Sequence, residues 1–134
     1  MAAGNVILFS KNKDDLRIND LVGATVLLSL VSSAWTPDST VTGNSVWADM
    51  SANEVSGNGW AAGGEALTSL AATAISGGFK FSSGNVSKTA SGGSIPAWRY
   101  GVIRVSGSLW GMTNPLVGYF VGGSTPADVP ATTT

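Results

Sequence analysis

Apolar residues in this chain come in short runs separated by glycine, serine and threonine. Eighteen glycines in 134 residues, together with Ser and Thr clusters, leave segments better suited to many short strands than to helices. The expected class is therefore all-β. Ala24 to Val31 puts Ala24, Val26, Leu28 and Leu30 on one face at a period of two, with β-branched residues between them, and reads as a central strand. Trp98 to Val105 alternates in the same way, placing Trp98, Tyr100 and Val102 together, and Leu116 to Val121 does so with Val117, Tyr119 and Val121. Phe79-Lys80-Phe81 lies between turn signals and reads as one arm of a hairpin with Val86 to Thr89.

Glu65 to Ile75 fits two patterns. Leu67, Leu70, Ala71, Ala74 and Ile75 have helical spacing, whereas Leu67, Ser69, Ala71, Thr73 and Ile75 alternate as a strand. The glycine pairs at 63–64 and 77–78 tip the reading narrowly to a strand, with a helix as the open alternative. Residues 1–122 form the expected single all-β domain. Residues 123–134, rich in Ser, Thr, Pro and Ala, form an extended tail or arm with Pro126, Pro130 and Val129. No internal repeat of 20–50 residues is present.

Charge narrows the partners. Only 11% of residues are charged and the net charge is −1, so copies of such a chain repel one another little and contacts with a partner would be apolar rather than ionic. Lys11, Lys13 and Arg17 are offset by Asp14, Asp15 and Asp20, which leaves no basic stripe for nucleic acid. Leu21 to Ala34 is too short and too rich in hydroxyl groups to span a bilayer, and no positively charged segment marks it for export.

Histidine and cysteine are both absent. That removes the Ser-His-Asp triad, thiol nucleophiles, disulfides and the commonest metal ligands together. Glu54 with Glu65, or Asp49 with Glu54, could form the carboxylate pair of a glycosidase, but Asp49 and Glu54 better suit the role of acceptors for loop N–H groups. Asp14, Asp15 and Asp20 lack the spacing of a calcium loop. Gly57 to Gly64 resembles a phosphate-cradling loop only superficially, since its third glycine comes late and no lysine follows; a surface turn with Trp60 folded over the core fits better. Asn85-Val86-Ser87 matches the glycosylation sequon without a secretory route to use it. The expectation is no catalytic residue, no cofactor and no metal.

Five tryptophans remain to be placed. Trp98 sits in a predicted strand, while Trp35 before Thr36-Pro37 and Trp110 between Leu109 and Gly111 sit at loop ends, where an aromatic ring serves as a contact or as a stacking platform for sugar. Trp35, Trp110, Pro126 and Val129 are the candidate interface residues.

Three features in this order resemble a family of small virion structural proteins of tailed bacteriophages. Ala24 to Val31 runs through Ser32-Ser33-Ala34 into Trp35-Thr36-Pro37, like that family's first long strand and its aromatic-Thr-Pro corner. Asn53-Glu54-Val55-Ser56-Gly57-Asn58-Gly59-Trp60-Ala61-Ala62-Gly63-Gly64 is similar to its middle motif. Ala97-Trp98-Arg99-Tyr100 and Pro115-Leu116-Val117-Gly118-Tyr119 are similar to its two later strands. Together these features cover roughly residues 16 to 122. The resemblance implies a β-sandwich, with the jelly roll among its forms, acting as a capsid decoration or cement protein. It would be made in the host cytoplasm and carried on the virion surface, with the major capsid protein and further copies of itself as partners, as a homo-oligomer. A tail, neck or adhesin component and a carbohydrate-binding module are the alternatives. The chain departs from the pattern after Gly122, where many relatives continue into further strands.

Overall fold

The computed structural model describes residues 6–122 and the backbone of 127–129. Its centre is a six-stranded antiparallel sheet built from β1 (Ile7–Leu8), β2 (Thr25–Val31), β3 (Glu54–Val55), β4 (Glu65–Ala66), β8 (Tyr100–Ser106) and β11 (Leu116–Val121). The order across the sheet is β1-β11-β8-β2-β3, with β4 also paired to β2. Three two-stranded sheets complete the strand set: β5 (Ala71–Ile75) with β6 (Gly78–Ser82), β7 (Ile95–Trp98) with β12 (Ala127–Val129), and β9 (Ser108–Leu109) with β10 (Met112–Thr113). A short helix, α1 (Ile18–Val22), precedes β2.

Strand β2 is central, as its alternation predicts, and it is covered on both faces. Val26, Leu28 and Leu30 lie opposite Val105, Ile103 and Gly101 of β8, while Leu27, Ser29 and Val31 lie opposite Arg104, Val102 and Tyr100. On the first face Leu30 packs with Val55, Trp60 and Ile95, and Val26 packs with Leu21, Val105 and Val117. On the second face Val31 and Val102 pack with Phe9, Trp35, Trp47, Met50 and Tyr119. Leu116 and Val117, as strand neighbours, join the second and first clusters, and a bulge in β11 between Leu116 and Gly118 then shifts the alternation, so that Tyr119 lies on the second face with Leu116 and not beside Val117 as the sequence suggests. The β5–β6 and β7–β12 pairs supply the second layer of the sandwich over the first face, as two separate pieces rather than one continuous sheet.

Four expectations change in detail. Phe79 to Phe81 does form a hairpin arm, but its partner is the preceding strand: Ala72 lies opposite Phe81 and Ala74 opposite Phe79 across the Ser76-Gly77 turn. A two-residue turn closes at lower entropic cost than the longer connection to Val86. Glu65 to Ile75 is extended only at its ends, as β4 and β5, because the chain leaves β2 after Leu67, whose N–H donates to Val26 O, and Ser69 takes a positive φ of 52°. The strand expected from Trp98 to Val105 breaks at Arg99, whose N–H donates to Val31 O and whose carbonyl accepts from Gly122. Trp98 therefore packs with the Leu30 cluster, and Tyr100 with the Val31 cluster on the other face. Last, part of the segment expected as a tail is β-paired within this chain, with Ala127 opposite Trp98 and Val129 opposite Ile95.

Candidate functional site

The carboxylates considered for catalysis are engaged with nearby loops. Glu54 accepts the Gly63 N–H. Asp49 Oδ2 accepts the N–H groups of Ser45 at 2.8 Å and Val46 at 3.2 Å. Glu65 accepts the Ala61 N–H at 2.9 Å and pairs with Lys88 at 3.1 Å. The roles that sequence suggests for Asp49 and Glu54 are thus the roles they have. Among the described residues no group of three or more acidic side chains is placed to hold a metal ion.

The glycine-rich loop acts as a clamp on the core. Asn58 and Gly59 both have positive φ, 52° and 110°, between the bridged residues Gly57 and Trp60, the backbone pattern that Asn-Gly adopts in tight hairpin turns. That turn sends Trp60 inward until it is 8% exposed. Beyond it, Gly63 O accepts from Arg104, whose Nε also donates to Ser29 Oγ at 3.2 Å and whose guanidinium lies 4.6 Å from the Trp47 ring centroid. Burial lowers the Arg104 pKa and the Glu54 carboxylate opposes the shift. Arg104, only 4% exposed, therefore ties β8 to the loop as a structural cation.

None of the five tryptophans is exposed. Trp35, Trp47 and Trp60 are buried, and Trp98 and Trp110 are half-buried. Trp35, expected as a contact at a loop end, is a core residue, because the corner turns it back onto Phe9, Tyr100 and Tyr119 at centroid distances of 6.3, 5.2 and 5.6 Å. Trp110 packs beside Leu21 and Val26, and its indole N–H donates to Asp20. Trp98 and Trp110 are thus the two indoles that keep partial exposure. Pro126 and the Val129 side chain lie outside the described residues.

Two kinds of apolar surface stand out instead. One is a cavity of about 220 Å³ over the Leu28 and Leu30 end of β2, walled by Trp60, Trp98 and Phe120. Its walls are set by close packing: Trp98 meets Phe120 edge to face at 6.5 Å, and a Cβ on Gly122 would fall 2.1 Å from the Trp98 ring. The other is a set of large apolar side chains left outside. Val6, Ile7 and Leu8 are 49%, 43% and 41% exposed at the β1 edge of the main sheet, and Ile75 and Phe79 are 52% and 67% exposed on the β5–β6 hairpin. Sequence reasoning missed both sets. The available signal was apolar residues immediately flanking the Ser76-Gly77 turn, where polar residues are the rule.

No protein-family model matches the chain, and neither a curated protein nor a solved structure gives a significant match.

Proposed function

We propose that this protein is a non-enzymatic structural component of a phage particle, a capsid decoration or cement protein that binds major capsid subunits at the virion surface. The observation that supports the reading best is the β1 edge. A strand at the end of a sheet carries backbone groups open to a further strand, and here Val6, Ile7 and Leu8 add exposed apolar side chains to that edge. Charge is one device that blunts such edges, and the described residues of this short edge, Val6 to Leu8, carry none. The resemblance of the Ala24–Pro37, Asn53–Gly64 and Ala97–Tyr119 segments to small virion proteins supplies the particle as the partner.

The test is reconstitution of purified protein onto particles that lack it. Binding should change little between low and high salt, since apolar contacts are not screened, and Ile7→Lys should weaken it. Copy number measured by densitometry against the major capsid protein should reach hundreds, whereas a neck or tail position on a symmetric particle gives about a dozen. Release by ionic strength alone would count against the proposed contact.

A further inference from the structure

The apolar cavity and the exposed hairpin lie at different ends of the same sheet face. The cavity opens over Leu28 and Leu30, while the hairpin packs through Phe81 onto the cluster of Leu21, Val26 and Val105. Phe79 and Phe81 are on the same side of β6, since residues two apart along a strand share a face. Phe81 reaches the core from there and is half-buried; Phe79, one repeat nearer the turn, passes beyond the core and is 67% exposed. Within its own chain Phe79 flanks a different hollow, beside Arg17 and Ile18 of the α1 region, and it is not among the residues that wall the aromatic cavity.

We propose that Phe79 of one copy of this chain seats in the cavity walled by Trp60, Trp98 and Phe120 of the next. Size supports the match: an apolar cavity of about 150 Å³ admits a benzene ring, and this one measures about 220 Å³. The walls are already in place, held by Trp98 against Phe120 and by the glycines that let them approach, so a ring entering the cavity need not order them. Charge is sparse on both sides: the knob carries Lys80 on the hairpin and Arg17 beside Phe79, and at the cavity Lys88 is paired with Glu65. A knob and a socket on different parts of one surface make a head-to-tail contact, which closes into a ring when the rotation allows and otherwise continues as a chain of copies. This inference goes beyond capsid binding and concerns contacts among the copies themselves.

The absence of cysteine makes the contact open to a direct test. Ser76→Cys places a thiol at the hairpin turn beside an intact Phe79, and Ser87→Cys places one at the cavity. The two variants are mixed and treated with a short bismaleimide at about 1 mM, where even a contact with a millimolar Kd is half formed. The expected result is that the mixed 76-to-87 product exceeds either same-site product. Adding Phe79→Ser to the hairpin partner should cut it about ten-fold, the loss typical of an anchoring aromatic, whereas Val41→Ser, at a residue 72% exposed elsewhere, should leave it unchanged. Tryptophan emission from the unsubstituted protein should shift with concentration and cease to do so in Phe79→Ser. Dominance of the 76-to-76 product would replace the socket contact with hairpin-to-hairpin pairing and overturn the proposal. A mixed product that is absent or insensitive to Phe79→Ser would also overturn it. Particles that still bind the Phe79→Ser chain would leave the decoration reading standing, so the two claims fail separately.

Discussion

The Trp110 indole N–H donates to Asp20 Oδ2 at 2.9 Å and holds a tryptophan at a φ of 55°. Left-handed backbone is costly for a bulky side chain, on the order of 1–3 kcal/mol, and persists only where the surroundings impose it. Here Trp110 and Gly111 both take positive φ to close the two-residue turn between β9 and β10, and Asp20 within α1 bonds the indole, which packs with the cluster of Leu21, Val26, Val105 and Val117. Asp20→Ala should therefore lower stability by about 2 kcal/mol, the range for a hydrogen bond to a charged group. Trp110→Phe, which keeps the ring and removes the N–H, should cost less in the Asp20→Ala background than alone. Chemical denaturation of the four proteins in this cycle checks it.

Arg104 is nearly inaccessible and bonds to Gly63 O and Ser29 Oγ. Arg104→Met should destabilise by about 1–3 kcal/mol, because it removes the charged donor to the Gly63 carbonyl and the Ser29 hydroxyl. Arg104→Lys should recover only part of this loss, since an ammonium lacks the planar fork. Thermal melts of both variants separate the two costs.

Two glycines should respond differently to alanine. Gly77 has a φ of 80° with nothing within 4 Å of an added Cβ, so Gly77→Ala should cost about 1 kcal/mol of backbone strain. Gly64 has a φ of 107°, and its Cβ would meet the Leu28 carbonyl oxygen at 2.6 Å. Gly64→Ala should cost at least about 3 kcal/mol, since strand backbone cannot move aside cheaply. Urea midpoints at constant m-value would establish the order.

Truncation after Gly122 removes β12 and exposes β7 along the side that β12 covers. The loss of that short ladder should lower stability by about 1–2 kcal/mol, or roughly 4–8 °C in Tm for a domain of this size. A Tm unchanged within a degree would mean that Ala127–Val129 adds nothing to the isolated domain.

Asp38 should titrate below its ordinary value of 3.8, because its carboxylate accepts from the Thr40 hydroxyl at 2.6 Å and the Thr40 N–H at 3.1 Å. A depressed folded pKa contributes stability above the unfolded value and loses it as pH falls through the folded one. Carboxyl NMR shifts should show the low midpoint, and Thr40→Val should raise it.

How much of this was legible in the sequence differs from one element to another. Strand β2 could be read because alternation and β-branching agree there with burial, whereas β11 was legible as a strand but not in its facing, since the bulge separates Val117 from Tyr119. The hairpin partner of Phe79 could not, since turn residues flank β6 on both sides and periodicity does not say which flank closes. Asp20 reads as one charge in a solvated run, and its bond to Trp110 spans ninety residues that no local pattern connects. Trp35 looked exposed because Thr-Pro follows it, yet the corner folds the ring inward. The cavity arises where β2, β7 and β11 meet, with the Trp60 and Val86–Lys88 loops at its sides, so it exists only in three dimensions.

The pairing of Ile7 with Tyr119 has a further consequence, for the order in which the molecule is made. Strand β1 emerges from the ribosome first, and its partner β11 follows only after synthesis of nearly all the described chain, an interval of roughly 6–20 s at about 5–20 residues per second. Strand β2 waits about two-thirds as long for β8. Such long-range pairing places folding toward the millisecond-to-second end of the range for small domains. Until then Ile7 and Leu8 have no strand partner and β2 has only the short strands β3 and β4, so the growing chain carries open apolar strand edges before the strands that complete the sheet are made.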